Sequence, residues 1–261
     1  MSRKVKLLIL LFSLVILSII ILNLQISKYR TDIKIEPNLV YKVENRSYKV
    51  PDIKMKGKGY LLKEDFLIDM RTLYNKVKLL FQDYNVEYWL SGGTLLGFIR
   101  HETFMPWDDD IDMHTHSYNR LLMFTGQFKE SARRHGLECM YMRGMSENYS
   151  YYKGGVRFRE SSKKNPVMDI FFVEQIDEKM KKIENWSGNK ISYNDKETWE
   201  IDDILELKKE TVDELDVFLP NNSHNVLKNQ YGETYKTEMH CDEKYHTIAH
   251  DFFGGIIWRT N

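Results

Sequence analysis

The sequence predicts a mixed α/β domain (α/β or α+β) carried by a polar stem on a single N-terminal transmembrane helix. Three observations predict it. Apolar residues make up 42% of the 261 residues and aromatics 13%, enough for a packed core and too much for a disordered chain. Segments with a 3.6-residue apolar period alternate with short apolar or period-two runs, as interleaved helices and strands do. The longest uncharged apolar run stands apart from that alternation, at residues 7–24. The length suits one ordinary catalytic domain. Thirty-eight basic residues balance thirty-eight acidic ones, which argues against a phosphate-neutralising nucleic-acid surface. Two cysteines make no disulfide framework, and five prolines with fourteen glycines exclude collagen-like architecture.

Residues 7–24 read LLILLFSLVILSIIILNL, eighteen residues without a charge, close to the roughly 20 that span a bilayer core. Arg3, Lys4 and Lys6 precede the run and place residues 1–6 on the cytoplasmic side. The expected topology is type II, a signal anchor at 7–24 with the rest of the chain lumenal, in the ER or Golgi membrane. A cleaved signal peptide is the alternative, but the run exceeds the usual apolar region of one and no small-residue cleavage site follows. Sequons begin at Asn45, Asn148, Asn185 and Asn221, which fits a secretory-pathway glycoprotein. In such a lumen Cys139 and Cys241 either pair or stay free.

Residues 25–58 are polar and basic without a clear period and read as a lumenal stem, leaving 59–261 as the catalytic domain. Phe66, Met70, Leu73, Val77, Leu80 and Phe81 form one stripe of a helix over 62–84, ended by Asn85. VEYWL at 86–90 reads as a short buried strand, followed by a turn and a short helix over 94–100. A second strand holds 111–113, and a helix over 118–134 stops at Gly136. Residues 153–159 and 167–173 read as strands, 177–196 as a polar loop, and strand and helix pieces alternate from there to Tyr235.

The chemistry concentrates in 88–112. Ser91-Gly92-Gly93, between a strand and a helix, lets backbone N–H groups approach an anion where the helix dipole adds partial positive charge. Farther on, Asp110-Ile111-Asp112 alternates, so both carboxylates leave one face of a strand with Ile111 behind them. Asp108 and Asp109 precede them, beside Pro106-Trp107. Converging acids against apolar neighbours are costly unless a cation joins them, and Mg²⁺ takes one or two carboxylates plus substrate phosphates. A solvated acidic loop is the plain alternative for Asp-x-Asp by itself. The glycine turn upstream and the apolar strand around it favour a metal.

The segment SGGTLLGFIRHETFMPWDDDID at 91–112 resembles the signature of the LicD family, which includes fukutin and fukutin-related protein. VMDIFF at 167–172 resembles the family's later aspartate-bearing strand, and FLP at 218–220 with LKNQYGETY at 227–235 its C-terminal segment. His114 and His116, directly after the acids, depart from the pattern. The resemblance implies a polymerase-β-type nucleotidyltransferase core, a small mixed sheet flanked by helices. It implies that Ser91, Gly92 and Gly93 hold a diphosphate and that Asp110 and Asp112 bind Mg²⁺ or Mn²⁺. Asp169 would complete the metal site or act as base, with Asp108 an outer ligand and Arg100 a phosphate clamp. The implied activity is transfer of a phospho-alcohol, such as phosphocholine or ribitol phosphate, from a CDP-linked donor to a glycan or glycoprotein, releasing CMP.

Other readings stand beside it. Asp110-Ile111-Asp112 also suits a nucleotide-sugar glycosyltransferase, although only one helix and one strand precede it in place of a nucleotide-binding half. A catalytically silent lumenal partner of a glycan-modifying complex is a third possibility. Cys241, His246 and His250 have zinc-like spacing, but the absence of a CxxC partner favours ordinary histidines. His114 and His116 read as packed or solvated. Arg157 and Arg159 share a strand face that either binds donor phosphate or is simply solvated. Tyr149, Tyr151 and Tyr152 read as core before sugar platform.

Overall fold

The computed structural model describes residues 57–236, apart from 106, 146–149 and 188–189, and before them 30–35, 40–43, 46–49 and parts of 10–17. The anchor expected over 7–24 lies for the most part outside these residues. Leu10, Phe12, Leu14, Ile16 and Leu17 are exposed, and among the described residues no helix is long and apolar enough to cross a membrane. Cys241 and the histidines at 240–250 also lie outside, while Cys139 is half-buried and has no disulfide partner among the described residues.

The expected stem contains strands. β1 (Arg30–Ile35), β2 (Val40–Val43), β3 (Arg46–Lys49) and β4 (Gly57–Leu62) occur there, β1 antiparallel to β4 and β2 to β3. Runs this short, broken by charges, are too brief for a period to register.

Helix α1 (Glu64–Asp83) buries the predicted stripe, with Glu64 and Asp65 complementing the dipole at its first turn. Asn85 adopts φ 52°, which asparagine tolerates, and turns the chain into β5 (Tyr88–Leu90). Next come α2 (Gly92–His101) and β6 (Asp110–His116). The single helix expected over 118–134 is two, α3 (Asn119–Met123) and α4 (Gly126–Arg134). Thr125 divides them as an N-cap, its Oγ1 accepting from the Phe128 N–H at 3.1 Å. Gly136, at φ 72°, stops α4 as expected.

Four long strands follow: β7 (Leu137–Met145), β8 (Ser150–Glu160), β9 (Val167–Ile176) and β10 (Lys179–Ser187). With β11 (Lys190–Glu200), β10 forms a hairpin where the sequence suggested a loop over 177–196. Register shifts between Lys181 and Ile183 and between Ile183 and Asn185 break the alternation that would have announced it. Met180, Ile183 and Trp199 still point inward and are buried. The chain closes with α5 (Ile201–Ile204), β12 (Lys208–Val212), β13 (Leu215–Leu219) and α6 (Ser223–Tyr231).

Seven strands form one mixed sheet, in the order β11-β10-β8-β9-β6-β5 with β7 on the outer edge of β8. Only the β6–β9 pairing is parallel. β9 offers one edge to β6, while its other edge meets β8 over 167–171 and β10 over 173–176. The sheet curls at that hand-over. A Cβ on Gly154 would lie 1.7 Å from the Ile183 carbonyl oxygen, so only glycine passes there.

Alternation gives the sheet a core face and an opposite face. Ile111, Met113, Met168, Ile170, Phe172, Val156 and Phe158 line the core face under α1, where the Phe81 ring lies edge-on to Tyr88 at 5.4 Å and to Phe158 at 5.9 Å. The acids leave the opposite face.

Candidate active site

Parallel pairing of β6 with β9 sets Asp112 directly opposite Asp169, and antiparallel pairing of β8 with β9 sets Arg157 opposite Asp169 on the other side. One row across three strands therefore reads Asp112, Asp169, Arg157, with Asp110 two residues back on the same face. Asp110, Asp112 and Asp169 each offer a carboxylate oxygen within 4.8 Å of the others. Ile111 is fully buried behind them.

The glycine turn is fastened to this strand. The Ser91 N–H donates to the Asp112 carbonyl at 3.1 Å, and the Asp112 N–H donates to Thr94 Oγ1 at 2.8 Å. The start of α2 is thus held against Asp112 from both sides. Gly92 adopts φ +54°, and a Cβ on it would stand 3.0 Å from Asp112 Oδ2; one on Gly93 would stand 2.4 Å from Asp108 Oδ2. Only glycine leaves the carboxylates room at both positions. Ser91 is extended at the N-cap, and its hydroxyl makes no capping bond.

Ser91, Gly92, Gly93, Asp108, Asp110, Asp112 and Asp169, singled out from the sequence, come together here. Arg100 lies near the C-terminal end of α2. Its guanidinium donates to His101 Nε2 at 2.9 Å, to the Tyr235 carbonyl at 3.3 Å and to Met105 Sδ at 3.2 Å. Arg157 stands at the acids, where its Nε and Nη2 donate to Asp169 Oδ1 and Oδ2, both at 2.6 Å. Arg159, on the same face, is paired with Glu138 at 2.6 Å.

Burial pushes the Asp110 carboxyl up to about 7, with the charges of Asp109 and Asp169 adding to it. Burial likewise holds Asp112 well above the usual carboxylate range, with Asp110 and Asp169 next in effect. Arg157 opposes the rise at Asp110 and Lys182 opposes it at Asp112. Lys182 is itself shared with Glu197 at 2.6 Å, and its Nζ lies 4.0 Å from the centre of the Phe171 ring. Lys182 and Glu197 belong to the β10–β11 hairpin, most of which read as a loop over 177–196.

The histidines after the acids are packing groups, as their plain reading had it. His114 is buried against Trp199 at 5.2 Å and Trp89 at 5.9 Å, and burial, followed by Lys182, holds its imidazole well below the usual range. His116 bonds Glu87 at 2.8 Å and stacks on Tyr118. The cluster's hard oxygen donors and surplus of negative charge fit Mg²⁺ or Mn²⁺.

Residues 85–222, more than half of the chain, match the family model described as LicD/FKTN/FKRP, nucleotidyltransferase domain. The lipopolysaccharide cholinephosphotransferase LicD of Haemophilus influenzae is 36% identical over 81 residues, 31% of this chain and 30% of that protein. An uncharacterized protein of Rickettsia typhi is 36% identical over 56 residues, 22% of this chain and 18% of its own length. The chain thus spans less than a third of the length of either relative. Solved structures of the antibiotic-resistance factor ANT(2'')-Ia overlap 57% of this chain at 13% identity and TM-scores of 0.32 and 0.33, too slight to establish a shared fold. By the family match over 85–222, this chain belongs to the LicD family.

Proposed function

We propose that the protein is a metal-dependent phosphotransferase. It would move a phospho-alcohol, such as phosphocholine or ribitol phosphate, from a CDP-linked donor to a hydroxyl of a glycan or glycoprotein, releasing CMP. One observation carries the reading: Asp110, Asp112 and Asp169 converge beside a helix start whose first two residues have no side chains. Mg²⁺ or Mn²⁺ held by the three aspartates would supply charge neutralisation on the transferring phosphoryl oxygens. The chain's own residues do the rest. Gly92 and Gly93 let a diphosphate approach the backbone of the first turn of α2, where the dipole favours anions. Ser91 and Thr94 keep that turn in register with Asp112, and Arg157 holds Asp169 in the row. A carboxylate of the cluster takes the proton of the attacking hydroxyl. The same proposal places the domain in the lumen of the ER or Golgi, tethered through residues 7–24.

The test is release of CMP by the full chain from CDP-choline, CDP-ribitol and CDP-glycerol, with Mg²⁺ or Mn²⁺. CMP from one donor, abolished by EDTA and by the double variant Asp110→Ala/Asp112→Ala, is the expected result. Release of UDP from a UDP-sugar in place of CMP would contradict the proposal.

A further inference from the structure

The ion pairs that Arg71, Arg133, Arg157 and Arg159 make with carboxylates differ in where the charges sit. Arg71–Asp213 is buried on both sides, at 12% and 2% side-chain exposure. Arg133–Glu130 and Arg159–Glu138 are open on both, at 65% and 61% and at 31% and 38%. Of these four, Arg157–Asp169 alone joins a shielded acid, 5% exposed, to a guanidinium that is 40% exposed. A counter-ion serving only to neutralise Asp169 has no need to face solvent, as Arg71 shows.

The donor count sharpens the contrast. A guanidinium carries five N–H donors, and the fork onto Asp169 uses two of them. Nη1 donates to none of the described residues. Two positions back on the same strand face is Gly155, which carries no side chain; a Cβ there would meet the Ile170 carbonyl oxygen at 2.6 Å. The surface beside Arg157 is therefore left low, with the half-buried Phe171 opposite Gly155. Two positions on, Arg159 is occupied by Glu138 through both Nε and Nη2.

We infer that Arg157 is two-edged: its Nε–Nη2 edge positions Asp169, and its outward Nη1 edge binds a phosphate oxygen of a diphosphate-bearing substrate. A planar guanidinium suits both tasks at once, since its parallel N–H groups match carboxylate and phosphate oxygens alike. The inference deepens the phosphotransferase proposal and rests on it for the identity of the anion.

The experiment uses the full chain and inorganic pyrophosphate as probe, with and without Mn²⁺, and measures Mn²⁺ affinity separately by electron paramagnetic resonance. The variants are Arg157→Gln, Arg157→Lys and Arg159→Gln. Loss of a charge-assisted contact predicts pyrophosphate binding about tenfold weaker or more in Arg157→Gln. Arg159→Gln, which removes the same charge from the same strand face, stays near wild type. Arg157→Lys keeps the charge without the fork, so it retains most pyrophosphate affinity while lowering kcat more than it raises the donor KM. A folded Arg157→Gln that binds pyrophosphate like wild type overturns the inference, as does an equal loss in Arg159→Gln. If wild type binds no Mn²⁺ yet Arg157→Gln still loses pyrophosphate, the metal-dependent reading fails and the anion edge stands.

Discussion

Asp213 and Asp112 are both shielded carboxylates, and their surroundings are opposite. Asp213 is paired with Arg71 and accepts from the Thr103 hydroxyl at 2.5 Å, while the Arg71 Nη1 also donates to the Asp213 carbonyl at 2.8 Å. One buried acid meets one buried cation, and the fold is locally neutral. Around Asp112 three carboxylates lie within 4.8 Å of one another, against one exposed guanidinium and a lysine already paired with Glu197. Desolvating unmatched acids costs folding free energy that a packed apolar face would not. The sequence thus holds the means to neutralise a buried acid and does not fully use them at β6 and β9. That difference supports the proposed role of Asp112 as a binding group and sets Asp213 apart as a matched ion pair.

Breaking the two sites should give opposite results. Asp112→Asn is expected to lower turnover by about 10³-fold or more, since metal-borne charge stabilisation amounts to several kcal/mol. The same change should raise stability by about 1–2 kcal/mol, because a buried charge is removed from a crowd of like charges. Thermal unfolding beside a CMP-release assay checks both signs. Arg71→Met does the reverse: Asp213 is left without its cation, so urea unfolding should show a loss of about 3–5 kcal/mol. Turnover per folded molecule should not change.

A pH titration sharpens the same contrast. Asp110 sits at about 7 in the folded state and near 3.9 when unfolded. The native state therefore binds more protons between those values, and the Asp110 contribution to stability falls as pH rises from about 4 to about 7, then levels off. In the metal-free chain that contribution amounts to at most about 4 kcal/mol, and Asp110→Asn should remove it, leaving the part due to Asp112. Chemical denaturation across that range, with chelator present, gives the slope; a rise in stability over it would contradict the assignment.

The smallest effects concern glycine. Gly93→Ala forces a Cβ to 2.4 Å from Asp108 Oδ2, whereas a Cβ on Gly126 meets nothing within 4 Å. Gly93→Ala should cut turnover about tenfold, a displacement of order 1 kcal/mol. Gly126→Ala should leave turnover unchanged and raise stability by about 0.5 kcal/mol. Equal turnover in the two variants would mean that the turn does not shape the site.

What the sequence disclosed follows from how local each feature is. The glycine turn and the acid strand lie within 91–112, so their chemistry could be read from spacing, and alternation placed Ile111 behind Asp110 and Asp112 correctly. Alternation also put Arg157 and Arg159 on one face, but it cannot tell which strand comes alongside, and that pairing is what separates the Asp169 fork from a surface ion pair. Lys182 was hidden because the register shifts in β10 erase the two-residue period. In the same way, Thr125 ends α3 and caps α4 inside what looked like one amphipathic run.

The central claim is that the acid cluster is a charge deficit that a divalent cation fills. The most direct test compares the thermal midpoint of the full chain with that of Asp112→Asn at pH 7.5, each in EDTA and in Mn²⁺. Wild type should start lower in EDTA and rise with Mn²⁺, while Asp112→Asn should start higher and not respond. A wild-type midpoint that ignores Mn²⁺, or an Asp112→Asn midpoint that rises with it equally, would contradict the claim.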